Sequence, residues 1–103
     1  MPSHKAVVTA SVGLHARPAA DFVRAVMDTG LPVVIAKDGS PAVDARSLLQ
    51  VMAADFQHGC EVQLTVSDTA LDGPVSAENA AGALQSLGDL LAAQGALQPA
   101  VRH

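Results

Sequence analysis

At 103 residues, half of them hydrophobic, the chain holds enough material for one compact domain with one core and too little for two, so a single site is to be sought. Only 2% of residues are aromatic, with no Trp and no Tyr, which disfavours base stacking. A formal net charge of -4 and a pI near 5.3 supply no polybasic patch to neutralise a phosphate backbone, so nucleic acid is not an expected partner.

The lone Cys60 excludes an intrachain disulfide framework and any CxxC motif, which fits a reducing compartment. No apolar run approaches membrane-spanning length, and the N-terminus lacks a charged stretch followed by an apolar one. The expectation is a cytoplasmic protein without membrane insertion, and a monomer.

In chain order, Lys5 to Ala10 is short, apolar and partly β-branched, and predicts a strand. Ser11 to His15 reads as a loop. From about Ala16 the period changes, because Ala19, Phe22, Val23, Val26 and Met27 share one helical face. Pro18 is tolerated only in a helix's first turn, which places the helix start near Ala16, and Gly30 is a stop. Leu31 to Ala36 predicts a second strand. The Asp38-Gly39 turn then leads into a short strand around Ala42 to Asp44.

Ser47 resembles an N-cap for a brief helix from Leu48 to about Ala54, with Leu48, Val51 and Met52 at helical spacing. After a His58-Gly59 turn, Cys60, Val62, Leu64 and Val66 alternate with polar residues, the period of a strand with one buried face. Beyond the Asp72-Gly73-Pro74 turn, Ser76 is placed as the cap of a last helix with Ala80, Leu84, Leu87 and Leu91 inward. Gly82 and Gly88 weaken that helix by roughly 1 kcal/mol each relative to Ala. The domain is taken to span 1–92, with 93–103 a flexible tail. The order βαββαβα predicts an α+β fold, an antiparallel sheet backed by helices on one side.

Gly13-Leu14-His15-Ala16-Arg17-Pro18-Ala19-Ala20 sets a His where a loop becomes a helix, with an Arg two residues on. Each part suits phosphoryl transfer. The unpaired amides and positive end of a new helix, here at Ala16 and Arg17, favour an anion. That field, with the Arg17 guanidinium nearby, is expected to disfavour the imidazolium form of His15 and leave a nucleophilic nitrogen available. Arg17 is then a hydrogen-bond partner for phosphoryl oxygens, and Gly13 lets the loop bend. A His near a helix start is otherwise an ordinary solvated or capping residue, so the wider string carries the argument.

Gly13 to Ala19 is similar to the active-site signature of HPr proteins, the histidine-containing phosphocarriers of the bacterial sugar phosphotransferase system. Asp44-Ala45-Arg46-Ser47-Leu48-Leu49-Gln50-Val51-Met52 resembles that family's second motif, and the likeness runs from about Lys5 to Ala92. The resemblance implies an HPr-like βαββαβα open-faced sandwich, a four-stranded antiparallel sheet with three helices on one face. It also implies phosphate carried on Nδ1 of His15 with Arg17 as its partner, and no metal or cofactor.

The phosphoryl group would come from phosphoenolpyruvate by way of enzyme I and leave to an enzyme II A component, which makes such a protein a recycled substrate rather than an enzyme. Ser47 matches a serine that, in many Gram-positive relatives, HPr kinase/phosphorylase modifies to engage a carbon-catabolite regulator; the plain alternative is that Ser47 is a cap. A phosphate there would sit beside Arg46. Ala20, Leu48, Leu49 and Met52 are assigned to an apolar docking surface, with burial of Leu49 and Met52 in the core as the alternative.

The chain departs from the family's commoner pattern at Val12, where many members carry a polar residue that helps hold the active-site loop, and at Gln50 and Ala53-Ala54-Asp55-Phe56. Five residues invite plainer readings. His4, His58 and His103 lack metal-ligand spacing, Cys60 falls on the buried parity of its strand, and Glu78 answers a helix dipole. Two alternatives stay open: a phosphocarrier of a nitrogen-linked or fructose-specific branch, and a small regulatory binding module in which the His is incidental. A histidine-dependent phosphatase would need paired catalytic groups that this pattern lacks.

Overall fold

A computed structural model describes residues 3–66 and 74–95, with the backbone alone for 74–78. Strand β1 (Ser3–Val7) leads into helix α1 (Ala16–Thr29), strands β2 (Val33–Lys37) and β3 (Val43–Asp44), helix α2 (Leu48–Ala53), strand β4 (Glu61–Val66) and helix α3 (Pro74–Gln94). The strands form one antiparallel sheet in the order β1-β4-β2-β3. β4 thus lies at the centre, where its strict alternation is used in full: Val62, Leu64 and Val66 are buried and Glu61 and Gln63 are exposed. Its register sets Ile35 opposite Leu64 and Val33 opposite Val66, so the middle of one face of the sheet is apolar, with His4 of β1 and Lys37 at the end of β2 also on that face.

The helices cover that face. α1 contributes Ala19, Phe22, Val23 and Val26, α2 contributes Val51, and α3 contributes Ala80, Leu84, Leu87 and Leu91, all within one core cluster. Gly30 ends α1 in the left-handed region (φ 71°), where its N–H reaches the carbonyl of Met27. No helix among the described residues is long and apolar enough to cross a membrane.

Several expectations need correction. β1 begins and ends earlier than the apolar run suggested, because Val8 to Ala10 leave the regular ladder. Val8 and Ala10 are buried nonetheless, and Val8 exchanges backbone bonds with Cys60 and Gly59. Met27 is 61% exposed rather than part of the α1 stripe. Cys60 is half-buried at the core's margin. Ser76 lies within the first turn of α3 instead of in front of it; the preceding Asp72-Gly73 turn and the side chain of Glu78 lie outside what is described.

The boundary expected at Ala92 falls inside α3. Gln94 is buried and its Nε2 donates to the carbonyl of Pro18 at 2.9 Å, while the Gly95 N–H donates to Thr9 Oγ1 at 2.8 Å. The Thr9 hydroxyl in turn reaches the carbonyls of Leu91 and Ala92, at 2.5 and 3.1 Å. Loop groups therefore cap the end of this helix, supplying partners for the last-turn carbonyls that a helix leaves open. The rest of the expected tail, residues 96–103, lies outside the described residues.

The two glycines of α3 separate on structure. A Cβ at Gly82 meets nothing, whereas one at Gly88 would come within 2.5 and 2.6 Å of the His4 ring. Gly82→Ala should therefore stabilise the fold by about 0.5–1 kcal/mol, and Gly88→Ala should show no such gain because His4 has to move. Urea denaturation of both variants checks this; equal stabilisation would contradict the packing of His4 on α3.

Candidate functional site

The site is built by two loops that are laced together. Leu14, fully buried, donates its N–H to the carbonyl of Phe56 at 2.8 Å. Phe56 is itself a core residue, so its neighbours Asp55 and Gln57 face outward, both exposed. Gly13 makes the approach possible. Its φ of +74° belongs to the left-handed region, and a Cβ there would collide with the Phe56 carbonyl oxygen.

His15 follows as the N-cap residue of α1, in extended conformation, and its side chain makes no capping bond. The ring, 36% exposed, instead sets Nε2 3.1 Å from Asp55 Oδ1. Ala16 then adopts φ +51°, as an L residue does at a cost of order 1–3 kcal/mol when its surroundings over-determine it. Pro18 lacks an N–H, so Ala16 and Arg17 supply the amides of the opening turn.

The Asp55 carboxylate is an arranged group. Its residue holds a left-handed φ of +57°, which Asp tolerates better than most residues. Oδ2 accepts from Gln57 Nε2 at 2.8 Å, and the Asp55 backbone carbonyl accepts from Lys37 Nζ at 3.0 Å. Lys37 also stands 5.8 Å from the centre of the Phe56 ring. The Gln57 hydrogen bond, seconded by the one to His15, holds the Asp55 carboxyl below the usual carboxylate range.

Arg17 is not beside the His15 ring. It extends into solvent, 91% exposed, with Nε 4.0 Å from Asp21 Oδ2. The charged side chain in contact with the imidazole is thus an anion, opposite in sign to the guanidinium the sequence suggested. Sequence reasoning missed Asp55, Gln57 and Lys37, because Asp55 lies 40 positions from His15 and no spacing rule links them. The one available signal was that Asp55 falls in the stretch departing from the family's commoner pattern. Val12, the other departure, is exposed.

The second motif is also resolved by the fold. Ser47 is the N-cap of α2, its Oγ accepting from the Gln50 N–H at 3.2 Å. Arg46 is already engaged, Nε and Nη2 lying 3.1 and 3.3 Å from the two Asp44 oxygens, and this pair holds the Asp44 carboxyl low. Gln50 Oε1 accepts from the Asp44 N–H at 3.1 Å, closing the turn between β3 and α2. Leu49 is 80% exposed, Leu48 and Ala20 are exposed and Met52 is half-buried. Of the three residues at helical spacing in α2, only Val51 enters the core.

A family model described as the PTS HPr component phosphorylation site matches residues 2–93. The chain belongs to the HPr family. It is 51% identical over 81 residues to the phosphocarrier protein HPr of Streptomyces coelicolor, covering 78% of this chain and 76% of that protein. Among solved structures it is similar to HPr-C-His from Thermoanaerobacter tengcongensis, with a TM-score of 0.71, 28% identity, and 93% and 97% of the two chains covered. The phosphocarrier protein HPr of Bacillus anthracis gives a TM-score of 0.67 at 28% identity, over 85% and 93%. HPr membership makes this chain a phosphocarrier of the phosphotransferase system, and the open-faced sandwich inferred from its motifs is the fold these relatives share.

The Asp55 arrangement has a titration consequence. A carboxyl depressed by folding stabilises the folded state above its ordinary value and loses that contribution as pH falls through the lowered one. Gln57→Ala, which removes the leading cause, should move the Asp55 midpoint back up toward 3.8, read by carboxyl-carbon NMR between pH 2 and 6; an unmoved midpoint would show that Gln57 does not hold the carboxylate.

Proposed function

We propose that His15 is the phosphoryl acceptor of this carrier, taking the group from phospho-enzyme I and passing it to enzyme II A components. The observation that carries the reading is the placement of a part-exposed imidazole at the first residue before α1, with Nε2 against Asp55 and no side-chain capping bond to the helix. A carrier must meet a donor and an acceptor in turn, so its reactive group has to stand at the surface. The opening turn of α1 offers amide donors and the positive end of the helix to the transferred group.

Arg17 is the proposed phosphate partner. Its exposed contact with Asp21 at 4.0 Å is of a kind that contributes little, so turning the guanidinium toward a phosphate loses little. Leu49, with Leu48, Ala20 and Met52, is the proposed docking surface; an exposed Leu on a short helix that buries only Val51 favours this. The carrier works in the cytoplasm, as a monomer and without a cofactor.

Ser47 is the proposed site of regulatory modification by HPr kinase/phosphorylase, read by a carbon-catabolite regulator. Its hydroxyl is only half-buried and caps a helix start, where an added phosphate is favoured. The Arg46 guanidinium there would be shared with Asp44.

With enzyme I, phosphoenolpyruvate and magnesium, the wild type should gain one acid-labile phosphate and His15→Ala none; equal labelling of the two would end the assignment. Arg17→Ala should slow labelling roughly 10- to 100-fold, the worth of a charged hydrogen bond, with an unchanged melting temperature because the side chain is exposed. In a parallel incubation with ATP and the kinase, Ser47→Ala should abolish an acid-stable label that the wild type acquires.

A further inference from the structure

We propose that Asp55 is a positioning residue for His15: it accepts the Nε2–H of the imidazole and so keeps the proton on that nitrogen and the lone pair on Nδ1. This rests on the reading of His15 as the phosphoryl acceptor, and it adds a second group that the family motifs around Gly13 and Ser47 do not contain.

The argument begins with chemistry. An ionised carboxylate only accepts hydrogen bonds, so a ring nitrogen 3.1 Å from Asp55 Oδ1 has to be the one bearing hydrogen. In a neutral imidazole the other nitrogen is then the acceptor and the nucleophile, and the partner of one nitrogen decides the state of the other. The carboxylate is in turn fixed from two sides. Gln57 Nε2 donates to Oδ2 at 2.8 Å, leaving Oδ1 for the ring, and Lys37 Nζ anchors the backbone carbonyl of the same residue at 3.0 Å.

Asp55 also holds this place in a left-handed conformation, φ +57°, at the end of a helix whose sequence could have ended on Gly. Backbone strain at a residue whose side chain meets the reactive group is a mark of a functional constraint.

The step balances with the proton staying where it is. The Nδ1 lone pair forms the new N–P bond, while the bond from phosphorus to the phosphorylated donor breaks and its electron pair leaves with the donor group. Nε2 keeps its hydrogen, so the ring becomes positively charged, and the carboxylate facing Nε2 stabilises that charge. When the phosphoryl group moves on to the acceptor, the N–P pair returns to Nδ1 and the ring is neutral again. Asp55 thereby acts on both directions of transfer without exchanging a proton.

The test uses Asp55→Gly, which suits the left-handed backbone and removes the carboxylate, and Asp55→Asn, which tolerates the same backbone and retains an accepting oxygen. In alkaline buffer, imidazole 15N NMR of the unphosphorylated wild type should show one protonated and one bare nitrogen, with hydrogen on Nε2. In Asp55→Gly the two shifts should converge as the tautomers mix, and in Asp55→Asn they should return toward the wild-type pattern. The initial rate of labelling from enzyme I and phosphoenolpyruvate should fall about tenfold in Asp55→Gly and recover in part in Asp55→Asn. Nitrogen shifts unchanged by Asp55→Gly, or an unslowed rate, would overturn the proposal. The spectra need no phosphoryl transfer, so failure here is separate from failure of the wild type to be labelled at all, which would remove the carrier assignment instead.

Discussion

One backbone contact organises the functional surface: the N–H of Leu14 on the carbonyl of Phe56, 2.8 Å away, across a glycine with no room for a side chain. Both residues are anchored in the core, and full burial of a Leu or Phe side chain is worth about 1.5–3 kcal/mol each. With Leu14 and Phe56 facing inward, the residues beside them face outward on the same side. The His15 ring and the Asp55 carboxylate meet because two buried neighbours hold their loops together.

The start of α1 is secured from its other side too. Ala19 and Phe22, one turn on, are buried against the sheet, and the carbonyl of Pro18 receives the Gln94 amide from the far end of α3. The Thr9 hydroxyl ties that same helix end to the loop after β1. Loop, helix start and helix end therefore support one another. The left-handed Ala16 persists within this frame, since the buried Leu14 and Ala19 on either side of it cannot shift without exposing apolar surface.

The geometry that results suits the proposed reading of a surface group handed between partners. His15 is reachable, its neighbour Asp55 is an oriented anion, and Arg17 stands in solvent. On the proposed reading the His15 ring would lie between a phosphoryl group on Nδ1 at the helix start and the carboxylate at Nε2, with opposite electrostatic demands on its two sides. The helix end favours the phosphate's negative charge, and the carboxylate favours the positive charge that a ring retaining its Nε2 hydrogen would carry. Balanced demands of this kind suit a group that has to be accepted and surrendered with comparable ease, because neither the loaded nor the empty state becomes a deep trap.

Much was legible in the chain itself. The strict alternation of Val62, Leu64 and Val66 marked a half-buried strand, Pro18 and Gly30 bounded α1, and the Gly13 to Ala19 string marked the family, because these signals are local: period, fixed φ, missing donor and left-handed freedom act within a few residues. Ser47 as a cap and the apolar stripe of α3 belong with them. What only the tertiary structure decided were meetings between distant segments: the exposure of Met27 and Leu49, the capture of Gln94 and Gly95 by residues near the N-terminus, the diversion of Arg46 to Asp44, and the placing of Asp55 rather than Arg17 against His15. The physical reason is that side-chain period specifies which face of an element is apolar, while the partner of a polar group depends on how separate elements are stacked, and that stacking is set by the whole core.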